Sequence, residues 1–251
     1  MTLFIVFVLG LIVGSFLNAV IFRLRSGESF LFGRSHCRTC KKELSAADLV
    51  PVFSFLMLKG KCRYCGIKLS WQYPAVELLT GGLFVLFALK FQMVFNPDFF
   101  LSLILVCFLI VIAVFDLKHY LILDKVVFAG LLVAIVRNIL LHDHVILGLL
   151  AGLGVAGFFL FQYAASRGKW IGLGDVKLGL LLGNIAGWPY SILLLMLAYM
   201  SGALTGIALM LAGRKQLSSK LPFGVFLSAS AIIVMLVGGP VMAWYLKLIG
   251  L

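Results

Sequence analysis

The chain has 251 residues, of which 63% are hydrophobic and only 12% are charged, whereas soluble domains carry about 25% charged residues. This composition excludes an ordinary soluble domain. The formal net charge is +12, but the basic residues stand in short segments between apolar runs, which indicates membrane topology and not a nucleic-acid-binding surface. We expect a protein embedded in the lipid bilayer with no nucleic-acid partner.

Apolar runs of roughly the 20 residues needed to cross a bilayer recur along the chain. The first run lacks a positively charged start and a small-residue cleavage site, so we expect it to stay as a helix and not to be removed as a signal peptide. Glycines at four-residue spacing, as at Gly148 and Gly152, predict close helix packing. The predicted fold is an all-α polytopic membrane protein with about eight transmembrane helices and a small cytoplasmic zinc-ribbon-like insertion between the first two. The helices are predicted at 1–22, 73–95, 99–117, 123–141, 144–165, 175–187 (short for a full span), 189–212 and 222–248.

The basic residues predict the orientation. With the N-terminus outside, the inner loops would be 23–72, 117–126, 166–177 and 213–221, and they would hold 10, 2, 3 and 3 of the 21 Lys and Arg residues. Because inner loops are enriched in Lys and Arg, we expect both termini on the outer side of the membrane.

The polar segment 23–72 contains two C-x-x-C pairs, Cys37 with Cys40 and Cys62 with Cys65, separated by 21 residues. This spacing is typical of a zinc ribbon, in which four thiolates bind one tetrahedral zinc ion. Disulfides are the alternative, but the charge asymmetry places the segment in the reducing cytoplasm, which favours zinc. A segment this short also needs a staple, since it cannot bury a sufficient core of its own.

Only nine acidic residues occur, and four of them are predicted at the inner edge of the membrane: Glu77, Asp116, Asp124 and Asp175. An acid within a span is costly and is a candidate functional residue. Asp116 ends an apolar run, where the helix dipole disfavours a negative charge, so capping does not explain it. Asp175 begins the sixth helix, where capping is an adequate alternative explanation.

Asp116 and Asp175 are predicted at the same depth in the membrane. Two neighbouring carboxylates share a proton, so one can activate a water as general base while the other donates to the scissile carbonyl, as in aspartic proteases. Gly172 and Gly174 have no Cβ atoms, so their backbone can approach a substrate strand closely. No Ser/His pair and no H-E-x-x-H motif competes for the role. The sequence therefore favours an aspartic protease site, with the meeting of the two aspartates as a hypothesis.

Five stretches, in this order, resemble the bacterial type IV prepilin peptidases, which are bifunctional membrane enzymes of type IV pilus and type II secretion systems. The resemblance covers nearly the whole chain. The stretches are GSFLNAVIFRL at 14–24, the paired C-x-x-C segment, YPAVELLTG at 73–81, FDLKHYLILDKV at 115–126 and GLGDVKLG at 172–179.

The resemblance implies a GxGD-type aspartyl protease in which Asp116 and Asp175 are the catalytic pair. Family members usually carry a Pro-Asp or Pro-Asn pair after the first aspartate, whereas this chain has Leu123 and Asp124. Asp124 is therefore interpreted as a cap or supporting acid at the start of the fourth helix. The supporting residues of the site are Gly172, Gly174, Lys177 and Asp124.

The same resemblance implies that the substrates are prepilins and pseudopilins, which have a short basic leader ending in glycine and then an apolar helix. Cleavage follows that glycine at the cytoplasmic membrane face, and the new N-terminal residue is then methylated with S-adenosylmethionine. Methyl transfer is assigned to the cysteine-bearing N-terminal part, with Glu77 as a cofactor-binding candidate. Pairing of Glu77 with Arg23 or Lys68 is the alternative. The sequence contains no glycine-rich dinucleotide fingerprint.

The predicted organisation is a first transmembrane helix at 1–22, a cytoplasmic tetracysteine zinc-binding loop at 23–72 associated with methyl transfer, and a transmembrane aspartyl protease domain at 73–251. The predicted location is the bacterial inner membrane, with the active site facing the cytoplasm. Two alternatives stay open: a peptidase without methyltransferase activity, and a zinc-stabilised membrane transporter or scaffold. A transporter would favour acids near the bilayer midplane and inverted repeats, whereas the acids here are predicted at one face.

Overall fold

The computed structural model describes residues 1–29, 33–141, 145–213 and 221–248. These residues form nine α-helices, one short 3-10 helix at Ala46–Leu49 and no β-strand, so the predicted all-α fold is confirmed. The α-helices are α1 Thr2–Ser26, α2 Phe53–Met57, α3 Gln72–Lys90, α4 Pro97–His119, α5 Asp124–Leu141, α6 Val145–Ser166, α7 Leu173–Ala186, α8 Tyr190–Leu211 and α9 Phe223–Leu248.

Six helices within the described residues are long and apolar enough to cross a membrane, namely α1, α3, α4, α6, α8 and α9. The other two predicted spans are shorter. Helix α5 has 18 residues that include Asp124, Lys125 and Arg137. Helix α7 has 14 residues, which extend over about 21 Å at 1.5 Å per residue, less than the roughly 30 Å of a hydrocarbon core. An integral membrane protein is supported, whereas the count of eight spans and the orientation stay predictions; the predicted inner loop 213–221 lies mostly outside the described residues.

The first of two compact units covers Met1–Phe99. Its α1 and α3 pack closely because α1 carries glycine where the two backbones meet. A Cβ atom on Gly14 would lie 2.7 Å from the Cα atom of Glu77, so any side chain there would push the helices apart. Helix α3 therefore belongs to the same compact unit as α1. The predicted protease domain at 73–251 concerns which residues carry the activity, and it stays a prediction.

The second unit begins at Phe100, and α7 is its central helix, in contact with α5, α6, α8 and α9. Glycines permit the approach of α6 and α7, as their spacing predicts. A Cβ atom on Gly183 would lie 2.7 Å from the Cα atom of Gly152 and 2.5 Å from the carbonyl oxygen of Ala151. A buried polar contact joins α5 to α7, since Asn138 Nδ2 donates a 3.1 Å hydrogen bond to the backbone oxygen of Asn184. Together these contacts fix the position of a helix too short to cross a bilayer.

Substitution of Gly183 by alanine is expected to destabilise the second unit. The added methyl group would overlap the backbone of α6, and overpacking of this kind costs about 1–3 kcal/mol. Thermal unfolding of the full-length protein in detergent should therefore show a lower Tm for Gly183→Ala. The matched control is Gly154→Ala in α6, because a Cβ atom at Gly154 would meet nothing within 4 Å. Equal Tm values for the two variants would contradict the close packing of α6 and α7.

Candidate active site

The four predicted cysteine ligands converge in the first unit. Their sulfur atoms all lie within 4.8 Å of one another, and the Sγ atoms of Cys37 and Cys65 are 3.8 Å apart. Four sulfurs around a tetrahedral zinc ion, each about 2.3 Å from the metal, are separated by about 3.8 Å. The cluster therefore fits a tetrahedral metal site. All five cysteines are free thiols, including Cys107 in α4.

The two C-x-x-C turns are built alike. The N–H group of Cys37 donates to the carbonyl of Lys42, and that of Cys62 donates to the carbonyl of Ile67, each over 2.9 Å. These hydrogen bonds close each turn so that its two thiols lie on one side. The backbone amide of Cys40 lowers the pKa of the Cys37 thiol to about 6, which favours the thiolate that binds metal.

Glu77 is buried in α3 and binds a turn of the preceding segment. Its Oε2 atom accepts a 2.7 Å hydrogen bond from the backbone N–H of Val52. Val52 has a φ angle of 60°, which is unfavourable for a β-branched residue. Glu77 therefore stabilises a strained turn. Arg23, one of its predicted partners, donates instead to the carbonyl of Gly33 over 2.8 Å.

A cavity of about 370 Å³ lies beside Glu77 in the same unit. Carboxylate, guanidinium and aromatic side chains line it. The guanidinium carbon of Arg38 lies 4.2 Å from the ring centroid of Phe22. Burial acts to raise the pKa of Asp48, but hydrogen bonds from Ser45 and Arg63 hold it below its usual value, so the carboxylate is ionised at neutral pH. The polar and aromatic lining includes Asn18, Arg23, Arg38, Asp48, Tyr73 and Glu77.

Asp116 lies in the last turn of α4 and is buried, with 5% of its surface exposed. Its carboxylate faces the first turn of α9, where the backbone amides of Gly224 and Val225 interact with it. A Cβ atom on Gly224 would lie 2.8 Å from Oδ2 of Asp116, so only glycine permits this approach. Within the described residues Oδ2 has no hydrogen-bond partner. The acid therefore keeps one buried oxygen available for a proton or a water.

Asp175 is half-buried in the first turn of α7. Its Oδ2 atom accepts a 3.1 Å hydrogen bond from the backbone N–H of Gly172, the residue at the N-cap of that helix. The sequence offered Asp175 as the N-cap of this helix, as an alternative to catalysis, but the helix begins two residues earlier and Gly172 is the N-cap, so Asp175 accepts a hydrogen bond from the N-cap amide as the third helical residue. The contact orients the carboxylate and does not exclude a chemical role, since it occupies only one acceptor position of one carboxylate oxygen.

The structure brings Asp116 and Asp175 together, close enough for their carboxylates to interact electrostatically. Ile122 packs against the N-termini of α7 and α9, the two helix ends whose amides face the carboxylates. A Cβ atom on Gly174 would lie 3.0 Å from Cβ of Ile122, and one on Gly224 would lie 3.3 Å from its Cδ1 atom. The glycines of the GLGD stretch therefore allow close packing around the pair of acids.

Tyr199 of α8 lies close enough to Asp175 to interact with it electrostatically. Its hydroxyl donates a 3.0 Å hydrogen bond to Gln162 Oε1 in α6. The Tyr199 ring lies 5.1 Å from that of Phe223, centroid to centroid, at the start of α9. Aromatic side chains thus form one wall beside the carboxylates.

Asp124 and Lys177, both predicted as supporting residues, form an ion pair. Lys177 Nζ lies 2.6 Å from Asp124 Oδ2, and both side chains are partly exposed. The pair joins the first turn of α5 to the first turn of α7. Asp124 is thus next to the site in the fold, but its charge is engaged by a lysine.

Gly224, Val225 and Tyr199 are neighbours of the acids that the sequence did not identify. The Pro-Phe-Gly run at 222–224 marks a helix start, and an N-terminus offers amides to an anion. Nothing in the sequence connects that start to Asp116, because the two positions meet only through tertiary packing. Tyr199 has no distinguishing local pattern at all.

Two family models match the chain. Residues 8–91 match the bacterial peptidase A24 N-terminal domain, and residues 103–207 match the type IV leader peptidase family. The first match contains the four converging cysteines and Glu77. The second contains Asp116 and Asp175.

Curated relatives align over most of the chain. A protein of Bacillus subtilis named prepilin leader peptidase/N-methyltransferase is 34% identical over 246 residues, which cover 97% of this chain and 98% of the relative. A protein of the same name from Aeromonas salmonicida is 31% identical over 277 residues, with 98% of this chain and 94% of the relative covered. No solved structure matches the chain. The matches to both halves and the near full-length alignments lead to one conclusion: the chain belongs to the type IV leader peptidase family.

Proposed function

We propose that this protein is a membrane aspartic endopeptidase that removes the short basic leader from prepilins and pseudopilins. The observation that supports it most is the approach of Asp116 and Asp175, each facing backbone amides at a helix N-terminus and close enough to interact. Membership of the family and the names of the relatives support the substrate class. The transporter alternative has no such support.

The proposed reaction is hydrolysis of one peptide bond. One carboxylate takes a proton from water, whose oxygen attacks the carbonyl carbon of the leader glycine, while the protonated partner donates to the carbonyl oxygen. Collapse of the tetrahedral intermediate breaks the C–N bond, and the released amine takes up the proton. We assign the ionised role to Asp175, because an amide of its own helix N-terminus stabilises the charge, whereas the α9 amides that face Asp116 only offset the unfavourable C-terminal end of α4. Asp116, with an unpartnered oxygen, then carries the shared proton.

The proposed topology places this chemistry at the cytoplasmic face of the bacterial inner membrane. Eight segments embedded in the bilayer would put both termini outside and the loops that carry most Lys and Arg inside. The substrate helix would lie in the bilayer, with its basic leader reaching the aspartates from the cytoplasm.

We further propose that the first unit methylates the new N-terminus. S-adenosylmethionine supplies an activated methyl group on a sulfonium cation. The cavity beside Glu77 fits such a ligand, because it offers buried carboxylates for the cation and aromatic rings for the adenine. Glu77 and Asp48 would face the positive charge, and Tyr73 would contact the base. A peptidase without methyltransferase activity is the alternative.

The four cysteines are proposed to bind one structural zinc ion. Their sulfur separations fit the tetrahedral radius of zinc, and the ion would tie together two turns that share no strand. The zinc would thereby hold the walls of the neighbouring cavity, which include Cys37 and Cys62.

Replacing either catalytic aspartate by asparagine is expected to lower the rate of prepilin cleavage by about 10²–10⁴-fold, because one partner in proton transfer is lost. Purified Asp116→Asn and Asp175→Asn variants should be compared on a prepilin with its leader intact. Asp98→Asn is the matched control, since Asp98 lies in the first turn of α4, at the other end of the helix that carries Asp116. Wild-type cleavage by either dyad variant would show that the pair is not catalytic.

Removal of two cysteines should remove the metal. Cys37→Ser with Cys62→Ser is expected to lose bound zinc, measured as zinc per chain by elemental mass spectrometry, because two of four ligands are gone. Cys107→Ser is the control, since Cys107 lies in α4 and is not one of the four clustered cysteines, so zinc should be unchanged. Unchanged zinc in the double variant would refute the assignment.

Glu77→Gln should separate the two activities. Glutamine can still accept the hydrogen bond from Val52 but carries no charge, so the strained turn is kept while a group facing the cation is lost. Transfer of labelled methyl from S-adenosylmethionine to a cleaved pilin should fall by at least about tenfold, since losing one positioned electrostatic group can cost about 10²–10³ in rate. Cleavage by the same preparation is expected to persist. Normal methylation would exclude Glu77 from that site.

A further inference from the structure

A group of apolar side chains is exposed on and around the short helix α2. We call this group the α2 patch and define it as Val50, Phe53, Leu56, Met57 and Trp71. Their exposed fractions are 44%, 60%, 61%, 68% and 74%. Large apolar side chains clustered in this way on a polar segment indicate an interaction surface.

The members of the patch that belong to α2 form one face of that helix. Phe53, Leu56 and Met57 are spaced three and four residues apart, so they project from the same side of the helix. Phe55 projects from the other side, is buried, and packs against Gly60 and the ring of Trp71, with a ring centroid distance of 5.0 Å. The helix is therefore anchored through the face that carries Phe55, and its opposite face is exposed.

The anchoring contacts fix the depth of α2 relative to α3, a candidate membrane span. Trp71 immediately precedes α3, and the N–H of Val52 at the start of α2 binds Glu77 in the second turn of α3. Helix α2 therefore lies beside the first turns of a membrane helix. Side chains at this level meet the boundary between lipid headgroups and acyl chains, where tryptophan is also enriched.

Basic side chains follow α2 along the chain. Lys59, Lys61 and Lys68 are exposed, a β-bridge joins Lys61 to Lys68, and within the described residues none of the three forms an ion pair. Each lysine near a membrane surface adds attraction to anionic lipids. Apolar side chains next to free lysines are the combination that binds the interface of an anionic bilayer.

We propose that the α2 patch inserts into the bilayer interface at the end of α3 and that Lys59, Lys61 and Lys68 bind anionic lipid headgroups. The insertion holds the cysteine-bearing segment against the membrane surface. The other candidate occupant is the substrate helix. Its basic leader would bring further positive charge to these lysines, so charge complementarity favours lipid.

The test uses full-length protein in vesicles of phosphatidylcholine with phosphatidylglycerol. The photoreactive residue benzoylphenylalanine replaces Leu56 or Met57, and adducts are identified by mass spectrometry after illumination. Glu43, which is exposed in the first C-x-x-C turn, is the matched control site. We expect lipid adducts at 56 and 57 and few at 43. Equal lipid adducts at all three sites, or none at 56 and 57, would overturn the proposal.

Two further arms separate lipid from the other occupant and test the charges. Added prepilin should leave the lipid adducts in place, whereas replacement of lipid adducts by prepilin adducts would overturn the proposal in favour of a substrate surface. Lys59→Gln should lower the ratio of membrane-inserted to non-inserted α2 patch, measured through the lipid adducts at 56 and 57, by about fivefold in anionic vesicles. In vesicles of phosphatidylcholine alone it should have no effect. An equal effect in both lipids would refute the headgroup contact.

Discussion

A carboxylate at the C-terminal end of an apolar helix is electrostatically unfavourable, and Asp116 occupies this position in α4. The opposing contribution comes from α9, whose first backbone amides face the acid. A favourable helix terminus contributes about 0.3–1 kcal/mol, up to about 2 kcal/mol when partly buried. The approach requires glycine at 224, since a methyl group would overlap the carboxylate. One buried acid thus brings the end of α4 into contact with the start of α9.

The second acid depends on helix packing more than on charge. Helix α7 is too short to be held by the bilayer alone, and it is positioned by Gly183 against α6 and by Asn184 against α5. Its N-terminus thereby comes beside Asp116, and Asp175 is carried there as the third residue of the helix. Replacing the small residues along α7 by larger ones would shift the helix and move Asp175, although Asp175 itself would be unchanged. The position of Asp175 at one end of α7 therefore relies on packing at the other end.

Several features were predictable because they depend on local composition. Hydropathy predicted the helices, the spacing of Cys37 and Cys62 with their partners predicted the sulfur cluster, and the position of Asp116 at a helix end marked it as a candidate functional residue. The amides of α9, the aromatic wall of Tyr199 and the bond from Val52 to Glu77 were not predictable. Each joins positions far apart in the chain, and the residue types involved are common. Helix α2 was missed because five residues are too few to show a periodic pattern.

Glu77 illustrates how a structural role and a proposed chemical role can share one residue. Its hydrogen bond to Val52 ties the cysteine-bearing segment to α3 and offsets part of the strain at a φ angle of 60°. The same carboxylate lines the neighbouring cavity. A carboxylate has two oxygens with about four acceptor positions, so one bond to a backbone amide leaves capacity for a cationic ligand. The anchoring bond also fixes the orientation of the group, which is what a binding site for a cation requires. A residue that closed the turn without a charge would keep this contact but would lack the charge that the proposed methyl transfer requires, so the proposal gives a reason for an acid at this position beyond the turn.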